Sequence, residues 1–312
     1  MTGPAASIIV PTRGGAARLP VLLGALARQD TRDFEVIVVV DGDVDGSADK
    51  ARRWSAVLDV RPIVFAENRG RAAALNAGAE AARGNLLIRC DDDLEPASTF
   101  VSGHIARHIG GPCGVVGLTT NVLPNTPYAL AYGRRADESS IAYALTLPGD
   151  RTWRLWSANV SVPRDAHFRV GGYDGRYRRY GWEDVDFGYR LRAAGYPIWV
   201  APELMARHHG ASTTTAVWAL RALHSGAARE TFLEIHGRDA LPGADAGRGA
   251  WDRIVRAAST AASERTLRAY GGAVDAVARF MPRPVAEKLM ALAVESAGLA
   301  GIRYPERAKA TF

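Results

Sequence analysis

Four apolar runs alternate with helix-like stripes over the first ninety or so residues, and each run ends in polar or charged residues. Ser7-Ile8-Ile9-Val10 reads as a short strand ended by Pro11. Leu19 to Gln29 reads as a helix, with Leu19, Leu22, Leu23 and Leu26 on one stripe. Glu35 to Val40 (EVIVVV) is apolar on both faces, the pattern of a buried parallel strand, and it stops at Asp41-Gly42. A helix from about Ala48 to Leu58 and a strand near Pro62 to Phe65 follow. Arg71 to Arg83 is an Ala-rich helix, with Gly84 as its expected C′ residue. The fourth strand, Asn85 to Cys90, runs directly into Asp91-Asp92-Asp93. A βαβαβαβ series of this kind folds into a doubly wound sheet.

In such sheets ligands sit beyond the carboxyl ends of the strands. The segments that should meet on one rim are Pro11-Thr12-Arg13, Asp41-Gly42-Asp43, Glu67-Asn68-Arg69-Gly70-Arg71 and Asp91-Asp92-Asp93. From about residue 112 to 210 the pattern is more mixed. Strand-like runs at Val115–Asn121, Leu155–Val162 and Ile198–Ala201 enclose a helix at about Val185–Ala194, closed by Gly195. Beyond about Thr213 the chain reads as helical, with a polar break from Leu241 to Gly249. The expected division is 1–212 as an α/β domain, halved near residue 100, and 213–312 as a helical C-terminal region.

The 312 residues carry a net charge of +6, which suits an anionic small substrate, an anionic membrane surface or nucleic acid without choosing among them. Cys90 and Cys113 have neither the number nor the spacing of a disulfide framework or a zinc site. No apolar run of about 18 residues is present, and Met1 to Ser7 lacks a basic region before an apolar stretch. The expectation is a cytoplasmic protein. Trp251–Tyr270 and Val285–Ala297 read as helical stretches, the first with Arg253, Arg256, Arg265 and Arg268 on exposed faces. These helices serve either as a packed appendage or dimer contact, or as a basic surface at the inner face of an anionic membrane.

Three adjacent carboxylates repel one another unless a cation or basic groups compensate them. Asp91 and Asp93 share a side if strand geometry persists, a spacing that grips a hard divalent ion together with phosphate oxygens. The same triplet would also serve as a solvated acidic turn. Asp41-Gly42-Asp43-Val44-Asp45-Gly46 imitates the start of a calcium loop, but its closing position is Arg52 and it follows a strand. A second cluster runs from Gly171-Gly172-Tyr173-Asp174 through Tyr180-Gly181-Trp182-Glu183-Asp184. Glu183 and Asp184 fall at a helix start, where the dipole favours the carboxylate, and either helix capping or a general base follows from that. His208-His209-Gly210 lies past the last strand-like run, where the imidazole of His208 can complete a metal site begun by Asp93.

Taken together these residues resemble the family-2 glycosyltransferases of the GT-A fold, over about residues 5–215. The resemblance rests on Ser7–Arg13, Val38–Gly42, Asn68-x-Gly70, Asn76-x-Gly78, Gly84, Asp91-x-Asp93-x-x-Pro96 and Trp156-x-x-Asn159. Gly171–Asp174, Gly181-x-Glu183-Asp184 and His208 complete it. The Gly-Trp-Glu-Asp stretch also looks like the acceptor motif of galactosyltransferase-type and chondroitin-polymerase-like members.

The resemblance implies a GT-A domain with a mixed central sheet and a C-terminal helical appendage. It implies a metal-dependent, inverting transfer from a nucleoside-diphosphate sugar, UDP foremost, to an acceptor hydroxyl. The product would be a polysaccharide, a glycolipid or a glycosylated natural product, with no part for nucleic acid. Pro11, Thr12, Arg13 and Asp41 would line the base and ribose, and Asn68, Gly70 and Arg71 would lie along the nucleotide. Asp91 and Asp93 would hold Mn²⁺ or Mg²⁺ on the diphosphate with His208 as a further ligand, and Asp92 would stand at the same donor site. Asp184 would be the base. Glu183 and Trp182 would orient the sugars, with Gly181, Trp156 and Asn159 also on the substrate side. The family often has a second Asp at the tip of the second strand, where this chain has Gly42; Asp43 is the nearest substitute.

Two other classes compete. Gly14-Gly15 with Arg18-Leu19-Pro20 loosely resembles the phosphate loop of sugar-nucleotide pyrophosphorylases, although Pro-Thr-Arg intervenes and a Gly-x-Gly is missing. A non-catalytic nucleotide-sugar-binding module is the third class, and the intact triplet and Glu-Asp pair argue against it.

Overall fold

A computed structural model describes residues 3–178, 181–241 and 249–309. Tyr180 and residues 242–248 of the expected polar break lie outside the described residues. The strands are β1 (Ala6–Thr12), β2 (Phe34–Asp41), β3 (Val60–Phe65), β4 (Leu86–Cys90), β5 (Leu94–Glu95), β6 (Gly114–Asn121), β7 (Asn159–Pro163) and β8 (Ile198–His208). The α-helices are α1 (Leu19–Leu26), α2 (Ser47–Arg52), α3 (Arg71–Ala81), α4 (Phe100–Arg107), α5 (Arg134–Thr146) and α6 (Arg164–Arg169). They continue with α7 (Trp182–Ala193), α8 (Thr215–His236), α9 (Ala250–Ala261), α10 (Glu264–Val277) and α11 (Arg283–Arg303).

The eight strands form one mixed sheet in the order β3-β2-β1-β4-β7-β6-β8-β5. The first four are mutually parallel, as the βα alternation requires. β7 runs antiparallel to both β4 and β6, so the direction changes beside the strand that carries the acidic triplet. Every residue of β2 is buried. That includes Glu35, whose carboxylate accepts from Ser7 Oγ at 2.7 Å, Arg61 Nη2 at 2.6 Å and the Arg83 backbone N–H at 2.7 Å. The core beneath is built from Ile8, Val10, Leu22, Leu26, Val36, Val38, Ile88 and Phe100.

Several boundaries differ from those expected, each for a local reason. β1 continues through Pro11 to Thr12, because its ladder with β4 ends at Ile9 and leaves that edge without need of the missing N–H. α3 stops at Ala81 with an extended Ala82, so Gly84 is not a left-handed helix terminator. A Cβ on Gly84 would lie 2.7 Å from the Ala6 carbonyl carbon and 2.8 Å from Ser7 N, so close approach to β1 explains the glycine. Gly195, after α7, does have the positive φ of +90° expected of a terminator. The stretch read as one helix from Trp251 is two, because Ser263 caps a new helix by accepting from the Thr266 backbone N–H at 3.3 Å.

The chain divides into two compact units. The first takes Met1–Val122, Ser140–Gly175 and Glu183–Gly210; the second takes Leu123–Ser139, Arg176–Trp182 and Ala211–Phe312. Within the second, α8 and α11 pack closely: a Cβ on Gly226 would stand 3.1 Å from Gly301 Cα. No helix among the described residues is long and apolar enough to cross a membrane.

Candidate active site

The carboxyl ends of β1, β2 and β4 meet through backbone and side-chain hydrogen bonds. At the tip of β2, Asp41 Oδ1 accepts from Arg69 N at 2.6 Å and Oδ2 from Gly70 N at 2.8 Å. Asn68 Oδ1 accepts from the same Gly70 N–H at 2.9 Å, and Gly70 takes φ +91°, which favours glycine. Asp41 thus shapes the loop that leads into α3. Asp43 does not take the place of a second strand-tip carboxylate. Its Oδ1 accepts from Gly46 N and Ser47 N, both at 2.9 Å, so it caps α2.

The three aspartates of the triplet have three different partners. β4 ends at Cys90, and Leu94 N donates to the Asp91 carbonyl in a turn at 3.1 Å, so the strand alternation expected for Asp91 and Asp93 does not persist. Asp92 is buried; Arg18 Nε and Nη2 donate to its two oxygens at 3.0 and 2.8 Å, and Thr12 Oγ1 donates at 2.5 Å. It ties β4 to β1 and α1. Arg18, which loosely suggested a phosphate loop, is committed to this tie.

Asp93 faces His208. His208 Nε2 lies 3.3 Å from Asp93 Oδ2, and His208 Nδ1 lies 2.7 Å from Asn121 Oδ1. Burial alone would push the Asp93 carboxyl up, but the imidazole of His208 and the charge of Arg18 outweigh it and hold the group below its usual range. His209 turns the other way, with Nε2 2.8 Å from Glu95 Oε2. Gly210 completes the wall, since a Cβ there would run into the Asp93 carboxylate.

Asp91 pairs with Arg89 instead of joining this group. Arg89 Nε donates to Asp91 Oδ1 at 2.7 Å and Nη2 donates to Oδ2 at 3.1 Å. The same guanidinium donates through Nη1 to Asp184, and it lies 5.8 Å from the centre of the Tyr173 ring. The expected three-residue metal set is therefore split. Among the described residues no group of three or more His, Cys, Asp or Glu is arranged to hold a metal ion. The cause is the buried cation beside Asp91, which the sequence reading did not include. Its signal was present: one Arg inside the otherwise apolar strand LLIRC, two residues from Asp91 and hence on the same side.

Glu183 and Asp184 stand in the first turn of α7, both buried. Arg71, the first residue of α3, lies with Nη1 3.3 Å from Glu183 Oε1. Burial pushes the Asp184 carboxyl up to about 7, with Glu183 adding to the rise and Arg89 and Arg71 opposing it. Pro11 and Thr12 are buried at the end of β1, whereas Arg13 is exposed. Gly181 has φ +94°, and the Trp182 indole, within the second unit, donates to Ser225 Oγ at 3.2 Å and packs on Phe232.

Trp156 and Asn159 have other uses than the substrate contact expected of them. Trp156 is 1% exposed, packs on Phe187, and donates its indole N–H to Tyr173 Oη at 3.0 Å. Asn159 is 0% exposed; its Nδ2 donates to the carbonyls of Leu118 and Leu204 and its Oδ1 meets His104. With their polar atoms satisfied, Asn159 ties β7 to β6 and β8, and Trp156 packs against α7 and the Tyr173 turn. Asn76 likewise exchanges two 2.8 Å hydrogen bonds with the Tyr173 backbone, which fixes the Gly171–Asp174 turn against α3.

A parallel half-sheet opening into a mixed one puts the acidic loop where the strand direction reverses in an α/β domain. Comparison narrows the class. Residues 7–183, more than half of the chain, match the family described as Glycosyl transferase family 2, and the chain belongs to that family. Validoxylamine A glucosyltransferase of Streptomyces hygroscopicus subsp. jinggangensis is 34% identical over 230 residues, 64% of this chain and 54% of that protein. A PGL/p-HBAD biosynthesis glycosyltransferase of Mycobacterium bovis is 36% identical over 113 residues, 35% of this chain and 44% of that protein. The chain spans about half the length of the curated relatives it matches.

Among solved structures, the mannosyltransferase PcManGT of Pyrobaculum calidifontis, in complex with GDP-Man and Mn²⁺, superposes with a TM-score of 0.62 at 20% identity, covering 97% of this chain and 88% of that one. S. aureus TarS in complex with UDP-GlcNAc gives 0.53 at 16% identity, covering 96% and 91%. The fold is that of the GT-A glycosyltransferases, with helices following the sheet domain.

Proposed function

We propose that this chain transfers a sugar from a nucleoside-diphosphate sugar, UDP foremost, to an acceptor hydroxyl with inversion at the anomeric carbon. The observation that carries the reading is the meeting of the β4 tip and the start of α7 at one buried centre, where Asp91 and Asp184 share Arg89. A donor-side acidic loop and an acceptor-side carboxylate adjoin there, as transfer requires. Names of relatives support the direction. One is a glucosyltransferase of validoxylamine A, and two fold relatives were solved with a sugar nucleotide. A small natural product joins polysaccharide and glycolipid as the acceptor class.

Asp93 and His208 fit a divalent cation: one hard carboxylate oxygen and one imidazole nitrogen adjoin, and Gly210 leaves no side chain between. The remaining ligands would be diphosphate oxygens and water, with Asp91 added if Arg89 released it. A cation bound there would supply Lewis-acid stabilisation of the leaving diphosphate. The chain's own residues do the rest. The loop shaped by Asp41, which leads into Arg71, receives the nucleotide together with Arg13. Asp184 takes the acceptor hydroxyl proton while that oxygen bonds to the anomeric carbon and the sugar–phosphate bond breaks. Glu183, held by Arg71, keeps the first turn of α7 in place.

Arg253, Arg265 and Arg268 are exposed on α9 and α10, which suits contact with an anionic surface. Binding to vesicles with and without phosphatidylserine tests that part. The transferase reading is tested by incubating the chain with UDP-, GDP- and dTDP-sugars, with Mn²⁺ or with EDTA. Metal-dependent release of a nucleoside diphosphate supports it. Pyrophosphate release from a nucleoside triphosphate and a sugar phosphate would move the chain to the nucleotidyltransferases.

A further inference from the structure

Arg89 occupies a place that strand chemistry disfavours. β4 is buried along its whole length, between β1 and β7, and a guanidinium there must find compensation for lost hydration. The side chain is 4% exposed. It meets one carboxylate bidentately, Asp91, at 2.7 and 3.1 Å, and reaches a second, Asp184, 95 residues away in sequence. Tyr173 lies against it, and a cavity of about 20 Å³ adjoins, with room for about one water. Asp91 alone would satisfy a salt bridge; the second carboxylate is what calls for an explanation. The planar fork of Arg can orient two carboxylates at fixed angles, which a Lys ammonium cannot.

We infer that Arg89 is a positioning residue that fixes the Asp184 carboxylate relative to the donor-side loop at Asp91, so that base and donor pocket are held as one unit. Arg89 touches neither sugar nor nucleotide in this role; it acts through Asp184. The inference rests on the reading of Asp184 as the base and adds to it a residue that the family motifs do not contain. Groups facing Asp184 are Arg89 from β4, Arg71 from α3, Glu183 from its own helix, Asp91 beyond β4 and Tyr173 from the preceding turn. Arg89 is hydrogen-bonded to both the strand-tip and the helix carboxylate.

The test is a double-mutant cycle on turnover with Arg89→Met, Asp184→Asn and the pair, alongside donor affinity by calorimetry and a thermal melt. A positioned base contributes about 10²–10⁴-fold, so Asp184→Asn sets the floor. Arg89→Met should lower kcat by about 10²-fold, more than it weakens donor binding, and should cost less than about threefold in the Asp184→Asn background. Arg89→Lys, which keeps the charge and loses the fork, should recover part of kcat and serves if the Met variant does not fold.

Additive losses in the cycle, or equal losses in kcat and donor affinity, would overturn the inference, because a merely structural residue behaves that way. Full activity in Arg89→Lys would overturn it too. If Asp184→Asn itself kept wild-type turnover, the base assignment would fail first, and the two failures are told apart by that single variant.

Discussion

His208 and Asp93, 115 positions apart, adjoin because β5 and β8 pair with Leu94 opposite His208. The adjacent β6 sets Asn121 opposite His208 as well, so the imidazole is held from behind at Nδ1 while Nε2 faces the carboxylate. That is the orientation a metal-ligating histidine needs. Asp93→Ala should therefore weaken metal-dependent donor binding by at least about 10–100-fold, the loss that even an outer-shell partner causes. Calorimetric titration with UDP in Mn²⁺ and in EDTA measures it; equal affinity in the two buffers for the native chain would remove the cation from the account.

Gly210 offers a milder test of the same pair. A methyl group there must displace the Asp93 carboxylate, whereas the β5–β8 ladder remains. Gly210→Ala should lower metal-dependent donor affinity with little change in melting temperature. An unchanged affinity would place Asp93 away from the cation.

As the proposed base, Asp184 must be free of a proton to accept one. With its carboxyl pushed up to about 7 by burial, the ionised fraction grows as pH rises through that value and shrinks below it. The expected kcat/KM profile has an acidic limb centred near 7 and a plateau above it. A profile flat from pH 5 to 8 would contradict both the shift and the role.

Trp156 tests the division between scaffold and site. It is fully buried against Phe187 and Tyr173, so Trp156→Ala should cost about 3–5 kcal/mol of stability, read from denaturant unfolding. Trp156→Phe should fold and retain the KM for donor and acceptor. A selective rise in acceptor KM would restore the substrate contact expected from the motif.

The parallel half was legible because its strands are mainly apolar runs followed by charged or polar residues, as EVIVVV at β2 is. Asp91–Asp93, Glu183-Asp184 and His208 stood out as candidate site residues because a carboxylate triplet follows an apolar run, a carboxylate pair falls at a helix start and an imidazole lies past the last strand-like run. What was not legible is the partner of each. Adjacent aspartates look equivalent in a string, and only the turn after Cys90 sends Asp91 to Arg89, Asp92 to Arg18 and Asp93 to His208. Trp156 and Asn159 were expected on the substrate side, and a motif does not say which way its side chains face. Asn159 points into the sheet, where the Leu118 and Leu204 carbonyls need donors.

Asp184 is the residue on which the proposed transfer most depends. The decisive measurement compares nucleoside diphosphate release during transfer by the native chain and by Asp184→Asn, with donor affinity taken on the same samples. The expected result is a fall in kcat of about 10²–10⁴-fold with donor Kd unchanged within about threefold. Native turnover in the variant, or a loss of donor binding that matches the loss of rate, would contradict it.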